Sequence, residues 1–295
     1  MHMEDNKNRQ ARLSVITINK NNAEGLGRTI KSVVNQTYKD FEYIIIDGAS
    51  NDNSVALIKQ HKEYIKIWVS EPDSGIYNAM NKGIKLATGE YCLFLNSGDY
   101  LYTDTVLENI FQEPANTDII ACSMISKQYN RYFLNCSPKT ISLLTFTNGS
   151  LLHPASFIKR DLFEKVGIYD ESHRIISDWI FFLEALIIHK CSYASKSDII
   201  SVFEAEGGIS TLHGGSEVGA MQQIIRSKFP NISLDYYLEL PVEYEYMHNI
   251  FNVLSKNRRG MLLIKPLLRL INRLAKGRNR NERLISVKRI SGLRS

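Results

Sequence analysis

The chain has 295 residues, 44% of them hydrophobic and 23% charged, with a net charge of +5. That length accommodates one large α/β domain or two smaller ones, with the composition of an ordinary soluble globular protein. No apolar run reaches the roughly 20 residues that span a bilayer, and residues 1–12 lack the apolar centre of a signal peptide.

The positive charge is uneven. Residues 256–295 hold 13 of the 36 basic residues and one of the 31 acids, Glu282, so this tail is +12 and the rest of the chain −7. A body with that balance is excluded as a nucleic-acid-binding surface by charge. Cys92, Cys122, Cys136 and Cys191 lack metal or redox spacing and read as reduced thiols of a cytoplasmic protein.

In chain order, residues 1–12 read as a disordered lead. Residues 13–18 alternate, are β-branched, and predict a strand. A polar loop, 19–22, precedes a helix over 26–35 with Leu26, Ile30, Val33 and Val34 on one face. A buried strand over 41–46 ends at Asp47-Gly48. A helix over 54–61, a strand over 65–70, a helix over 75–87 and a strand over 91–95 complete a β-α-β-α-β-α-β rhythm. Such a rhythm predicts a mostly parallel sheet flanked by helices. Beyond residue 110 the pattern loosens, with strands near 119–121 and 131–134 and helices over 162–166 and 179–188. Residues 217–255 read as a helical extension. In residues 256–295, Lys265, Arg269 and Arg273 recur at four-residue spacing beside Leu263, Leu267, Leu270 and Leu274, with Pro266 near the start. This basic amphipathic tail suits either an anionic membrane surface or packing on the body.

Ligands of open α/β sheets sit beyond the carboxyl ends of the strands. Thr17 and Asn19 close the first strand, Asp47 the second, and Asn96-Ser97-Gly98-Asp99 follows the fourth. A carboxylate at position 47 accepts hydrogen bonds from a base or ribose, or simply begins a turn before Gly48. Asp73 caps the next helix, touches a ligand, or does both. Asp178 opens the apolar run Trp179-Ile-Phe-Phe-Leu and is by position a good first-turn helix residue.

The segments Leu13-Ser-Val-Ile-Thr-Ile-Asn-Lys-Asn, Ser32-Val-Val-Asn-Gln-Thr-Tyr, Tyr43-Ile-Ile-Ile-Asp-Gly-Ala-Ser-Asn-Asp, Asp73-Ser-Gly-Ile-Tyr-Asn-Ala-Met-Asn-Lys-Gly and Phe94-Leu-Asn-Ser-Gly-Asp occur in this order. Together they resemble family-2 glycosyltransferases of the bacterial polysaccharide-biosynthesis type, over roughly residues 13–210. The resemblance implies a GT-A (Rossmann-like) fold and inverting transfer from a nucleotide-diphosphate sugar, UDP-linked by expectation, to a glycan or lipid-linked acceptor. It divides the chain into a nucleotide-sugar half, 13–110, and an acceptor half, 111–216. It assigns the donor to Thr17, Asn19, Asp47, Asp73, Asn81, Lys82 and His153, and general-base chemistry to Asp178. Relatives often have Arg where this chain has Met80, which leaves Lys82 either a diphosphate contact or a solvated helix residue. Where relatives carry Asp-Ser-Asp-Asp, only Asp99 is left to hold Mg²⁺ or Mn²⁺. The loop with Gly207, Gly208, Ser210 and His213 resembles one that closes late in these domains. A location on the inner face of the plasma membrane follows from the tail. A sugar nucleotidyltransferase is the alternative enzyme class, disfavoured because the first loop, Asn19-Lys-Asn-Asn-Ala-Glu-Gly, is not glycine-rich. A non-catalytic scaffold of the same fold is the other.

Overall fold

Residues Leu13–Asn19 (β1) are buried at every position, as befits a strand covered by helices on both faces. The computed structural model describes residues 11–112, 116–147, 149–206, 217–230 and, for the backbone, 282–285. The parallel strands Phe41–Asp47 (β2), Ile67–Ser70 (β3) and Tyr91–Phe94 (β4) join β1 in the order β3-β2-β1-β4. Strand alternation sorts the core into two layers. Val15, Tyr43 and Ile45 face Leu26, Ile30 and Val33 of helix α1 (Ala23–Val34) and Ile58 of α2 (Ser54–Gln60). Ile16, Ile44 and Ile46 face Ala79, Met80 and Ile84 of α3 (Ile76–Leu86). Helix α3 lies close on β1, since a Cβ at Gly83 would meet Ile16 Cγ2 at 2.5 Å.

Beyond β4 the sheet becomes mixed. After Tyr100–Leu101 (β5) and α4 (Val106–Phe111), Ile119–Gln128 (β6) turns antiparallel into Arg131–Asn135 (β7). Past α5 (Leu143–Thr147), Ser156–Lys159 (β8) wedges between β4 and β6, antiparallel to both. Helices α6 (Leu162–Lys165) and α7 (Ser177–Leu183) follow, and α7 widens into a π turn at Glu184–Ile188. Tyr193–Glu204 (β9) runs parallel to β6 and returns to pair with β5, a helix covers Val218–Lys228, and Glu282–Ile285 (β10) pairs with β7.

The first half follows the sequence reading closely, with the third strand beginning at Ile67 rather than 65. In the second half, β6 is far longer than the expected 119–121, and the expected helix 179–188 changes from α to π at Glu184. Strand β9 has no counterpart in the sequence reading. Its middle, Lys196-Ser-Asp198, is polar, and its register against β6 shifts on both sides of Ser123, so alternation is broken. The expectations for residues 1–10, the 207–216 loop with Ser210 and His213, the extension past 230 and the amphipathic helix 261–274 lie outside the described residues. No helix among the described residues is long and apolar enough to cross a membrane.

Candidate active site

The four parallel strands discharge into loops that bind one another. Asn19 Nδ2 donates to Asp47 Oδ1 at 2.8 Å, Asn21 N to Ser50 Oγ at 2.8 Å, and Asn22 Nδ2 to the Ser97 carbonyl at 2.9 Å. Asn21 and Ala49 both adopt left-handed backbone conformations at the tips of the first two loops. Asp47 is fully buried, and both its oxygens are occupied. Ser50 Oγ (2.6 Å) joins Asn19 on Oδ1, while Ser70 Oγ (2.6 Å) and the Ser50 N–H (2.9 Å) serve Oδ2. Burial pushes this carboxyl upward, but the donors from Ser50, Ser70 and Asn19 outweigh it and hold the group below the usual carboxylate range. The Asn19 side-chain oxygen, Oδ1, is buried without a partner among the described residues, leaving an acceptor at the strand ends.

Asp73 closes over this corner. Its Oδ1 accepts the Gly75 N–H at 3.2 Å and faces Lys20 Nζ at 3.4 Å. A Cβ at Gly48 would lie 2.0 Å from Asp73 Oδ2, so a side chain at position 48 would displace this carboxylate. Thr17, two residues short of the strand end, is fully buried, with its hydroxyl 3.1 Å from the Tyr43 hydroxyl. The structure brings Asn19, Asp47 and Asp73 together and sets Thr17 in the core beneath them.

Asp99 is equally buried and differently furnished. Thr29 Oγ1 lies 2.7 Å from the Asp99 backbone carbonyl, to which it donates, and accepts the Gly98 N–H at 3.0 Å, fixing the loop on α1. The Asp99 carboxyl receives the Glu204 N–H on Oδ1 at 3.1 Å, while Oδ2 has no partner among the described residues. Burial pushes this carboxyl up to about 7, with the backbone donors of Glu204 and Asn96 pulling the other way. Glu204 itself is held by Lys127 at 2.9 Å. No three acidic, histidine or cysteine side chains converge as a ready metal cage among the described residues. A single buried carboxylate with one open oxygen fits a hard divalent cation whose other ligands are substrate oxygens and water.

Helix α3 builds the other wall. Asn81 is buried and saturated. Its Nδ2 donates to the Tyr169 carbonyl (2.8 Å) and Glu171 Oε1 (2.9 Å), and its Oδ1 accepts the Tyr169 N–H (3.0 Å). Asn78 Nδ2 adds a bond to Glu171 Oε2 at 2.8 Å. Lys82 is bound by Glu71 Oε1 and the Pro72 carbonyl, each at 2.8 Å. One turn before Asn81, Tyr77 sends its hydroxyl to the Ile175 carbonyl and to Asp178 Oδ1, the latter at 2.7 Å. Asp178 stands half-buried in the first turn of α7. His153, buried and stacked on Phe94, pairs through Nε2 with the Tyr169 hydroxyl at 2.8 Å. Burial holds its imidazole below the ordinary value, against the opposing charge of Asp178.

Asn81, Lys82 and His153 therefore stand in the wall as ties between elements. Asp178, Tyr77, Tyr169 and His153 form one cluster, linked to the Asp99 loop through Phe94 at the end of β4. The sequence reading missed Tyr77, Ser50, Ser70 and Glu204. Tyr77 lies inside the quoted 73–83 motif at four-residue spacing from Asn81, which was the available signal.

The family model described as "Glycosyl transferase family 2" matches residues 14–172. An uncharacterized glycosyltransferase of Mycobacterium tuberculosis is 32% identical over 205 residues, covering 66% of this chain and 76% of that protein. Among solved structures, Staphylococcus aureus TarS 1–349 in complex with UDP-GlcNAc superposes with a TM-score of 0.60 at 17% identity, over 82% of this chain and 73% of that one. Against a longer TarS chain, the match spans 40% of that chain's length. A mannosyltransferase from Pyrobaculum calidifontis in complex with GDP-Man and Mn²⁺ gives 0.54 at 14% identity, over 90% and 81% of the two chains. At these identities the structural likeness is one of fold, a mixed α/β sheet flanked by helices.

Proposed function

The chain belongs to glycosyltransferase family 2, and on that footing we propose direct, inverting transfer of a sugar from a UDP-linked donor to a glycan or lipid-linked acceptor. The observation that carries this reading is the placement of Asp178. It is the carboxylate at the head of α7, held by α3, across the wall from the loops that carry Asp47 and Asp99.

In this reading Asn19, Asp47 and Asp73 line the nucleoside site, with the orphaned Asn19 Oδ1 as the acceptor for a base or ribose donor and the saturated Asp47 carboxylate holding Asn19 in place. Asp99 holds Mg²⁺ or Mn²⁺, which supplies neutralising charge for the diphosphate. Asp178 takes the proton of the acceptor hydroxyl as that oxygen bonds to the anomeric carbon. The bond from anomeric carbon to phosphate oxygen breaks on the opposite side, its electron pair leaves with the nucleoside diphosphate, and the configuration inverts. Asn81 acts by fixing the 169–171 segment, Lys82 by tying Glu71 and Pro72 beside Asp73, and His153 by setting Tyr169. One structural neighbour holds UDP-GlcNAc and another GDP-Man, so the donor test carries both bases. The basic tail supports contact with an anionic membrane surface, where each Lys or Arg contributes about 1 kcal/mol.

The test is nucleoside-diphosphate release from a panel of UDP- and GDP-sugars, followed by anomeric NMR of the product. Asp178→Asn is expected to lower kcat roughly 10²–10⁴-fold in a folded protein. A product that keeps the donor's configuration, or near-normal turnover by Asp178→Asn, overturns the mechanism. Co-sedimentation of the full chain with anionic vesicles, but not with neutral ones, tests the membrane contact. Salt-insensitive or charge-blind binding removes it.

A further inference from the structure

Tyr77 and Asp178 are 101 residues apart in sequence, yet the phenol sits between two acceptors, the Ile175 carbonyl and Asp178 Oδ1. A phenol has one proton to give. Tyr77 is 3% exposed, so water does not supply a second donor. Among the described residues, this hydroxyl provides the one side-chain hydrogen bond to the Asp178 carboxylate.

The other titratable groups facing Asp178 are Tyr169, from the loop before α7, and His153, from the turn before β8. Burial keeps the first a neutral phenol and the second a neutral imidazole, and they bond each other. Farther along the same helical run, Glu184 is taken by Lys228. Among these groups no cation stands against Asp178, so beside the first turn of α7 and the solvent on its exposed side, the Tyr77 hydroxyl is the side chain that answers its charge.

The two acceptors differ in how they respond to the state of Asp178. While Asp178 is ionised, its carboxylate is the stronger acceptor and holds the phenol proton. When Asp178 is neutral with its proton on Oδ1, that O–H donates to the phenol oxygen. The phenol proton then turns to the Ile175 carbonyl. Both states are hydrogen-bonded with no heavy atom displaced.

We propose that Tyr77 is a positioning residue for the general base, its hydroxyl proton turning from Asp178 to the Ile175 carbonyl as Asp178 takes up the acceptor's proton. The proposal rests on Asp178 being the base. It adds that the helix carrying the Ile76-Tyr-Asn-Ala-Met-Asn81 run serves the acceptor chemistry as well as the donor side.

The first test needs no substrate. The Asp178 carboxyl is titrated by ¹³C NMR in the full chain and in Tyr77→Phe, which keeps the ring against Tyr169 and removes only the hydroxyl. Loss of a hydrogen bond to the charged form is expected to raise the Asp178 pKa by about one unit. A 3-fluorotyrosine at position 77, a better donor in the same shape, is expected to lower it. Titrations that coincide in all three proteins overturn the proposal.

The second test is a double-mutant cycle with the nucleotide sugar that turns over. Tyr77→Phe is expected to lower kcat about 10- to 100-fold with donor KM little changed, and to move the acid limb of the rate profile upward. In the Asp178→Asn background it is expected to change kcat less than about twofold. Equal losses in both backgrounds mean that Tyr77 is only structural. Near-normal turnover by Asp178→Asn alone is a different result, which removes the base reading and this proposal with it.

Discussion

Glu42 and Asp99 are both carboxyls, both 3% exposed, at opposite ends of the same sheet, and they behave in opposite ways. Glu42, near the amino end of β2, gathers Ser14 Oγ (2.6 Å), Thr88 Oγ1 (2.8 Å), Lys66 Nζ (2.8 Å) and the N–H groups of Thr88 and Gly89. Burial pushes its carboxyl up, and these donors, Lys66 foremost, bring it down to about 2. Asp99, beyond the carboxyl end of β4, has only backbone donors, from Glu204 and Asn96, and burial pushes it up to about 7. Burial is common to both, so the donor count decides. A carboxylate surrounded by donors is a staple that fixes the α3–β4 turn to β1 and β2. A carboxylate left short is a free ligand.

Neutralising each group in turn should separate the two roles. Asp99→Asn is expected to lower turnover roughly 10²–10³-fold and to weaken Mn²⁺ binding. Its unfolding midpoint should stay level or rise, because an unsatisfied buried charge is removed. Mn²⁺ titration by electron paramagnetic resonance and denaturant unfolding measure the two effects. Unchanged Mn²⁺ affinity would take Asp99 out of the metal site.

Glu42→Gln is expected to do the reverse, with activity per folded molecule retained and stability reduced by about 3 kcal/mol. Urea unfolding at pH 7 checks it. A loss under about 1 kcal/mol would mean that the donors around Glu42 find other partners.

The pH dependence sharpens the same point. In the folded protein these donors hold the Glu42 carboxyl down to about 2, below the ordinary 4.5 of a glutamate carboxyl. Its stabilisation is therefore complete above about 4.5 and is lost as pH falls toward 2. The stability gap between wild type and Glu42→Gln should shrink by about 2 kcal/mol from pH 5 to pH 3. A gap that stays constant would show that the interaction does not depend on the charge. The smallest expected effect is that of Ser14→Ala, which removes one of five donors and should cost about 1 kcal/mol with no change in turnover.

Local spacing in the sequence was enough for the four parallel strands and the three helices between them. Alternation and helical periodicity decide which face of an element is apolar, and both act within a dozen residues. The same locality placed Asn19, Asp47 and Asp99 at strand ends, because a polar residue that closes a buried strand has to lie at the sheet's edge. The resemblance supplied the family and named Asp178.

Spacing could not say what each side chain would meet. Asn81 turns to the backbone of Tyr169, 88 residues away, and Tyr77 to Asp178, 101 residues away. Both contacts depend on where the chain re-enters after β8, and no local pattern records that. Strand β9 was invisible for a related reason. Its pairing with β6 is bulged, its polar middle faces solvent, and only its end returns to pair with β5 and reach Asp99. The sequence determined which residues reach the ends of the strands. The tertiary structure decided which of them are saturated and which are left free to bind, because satisfaction depends on donors brought in from distant segments.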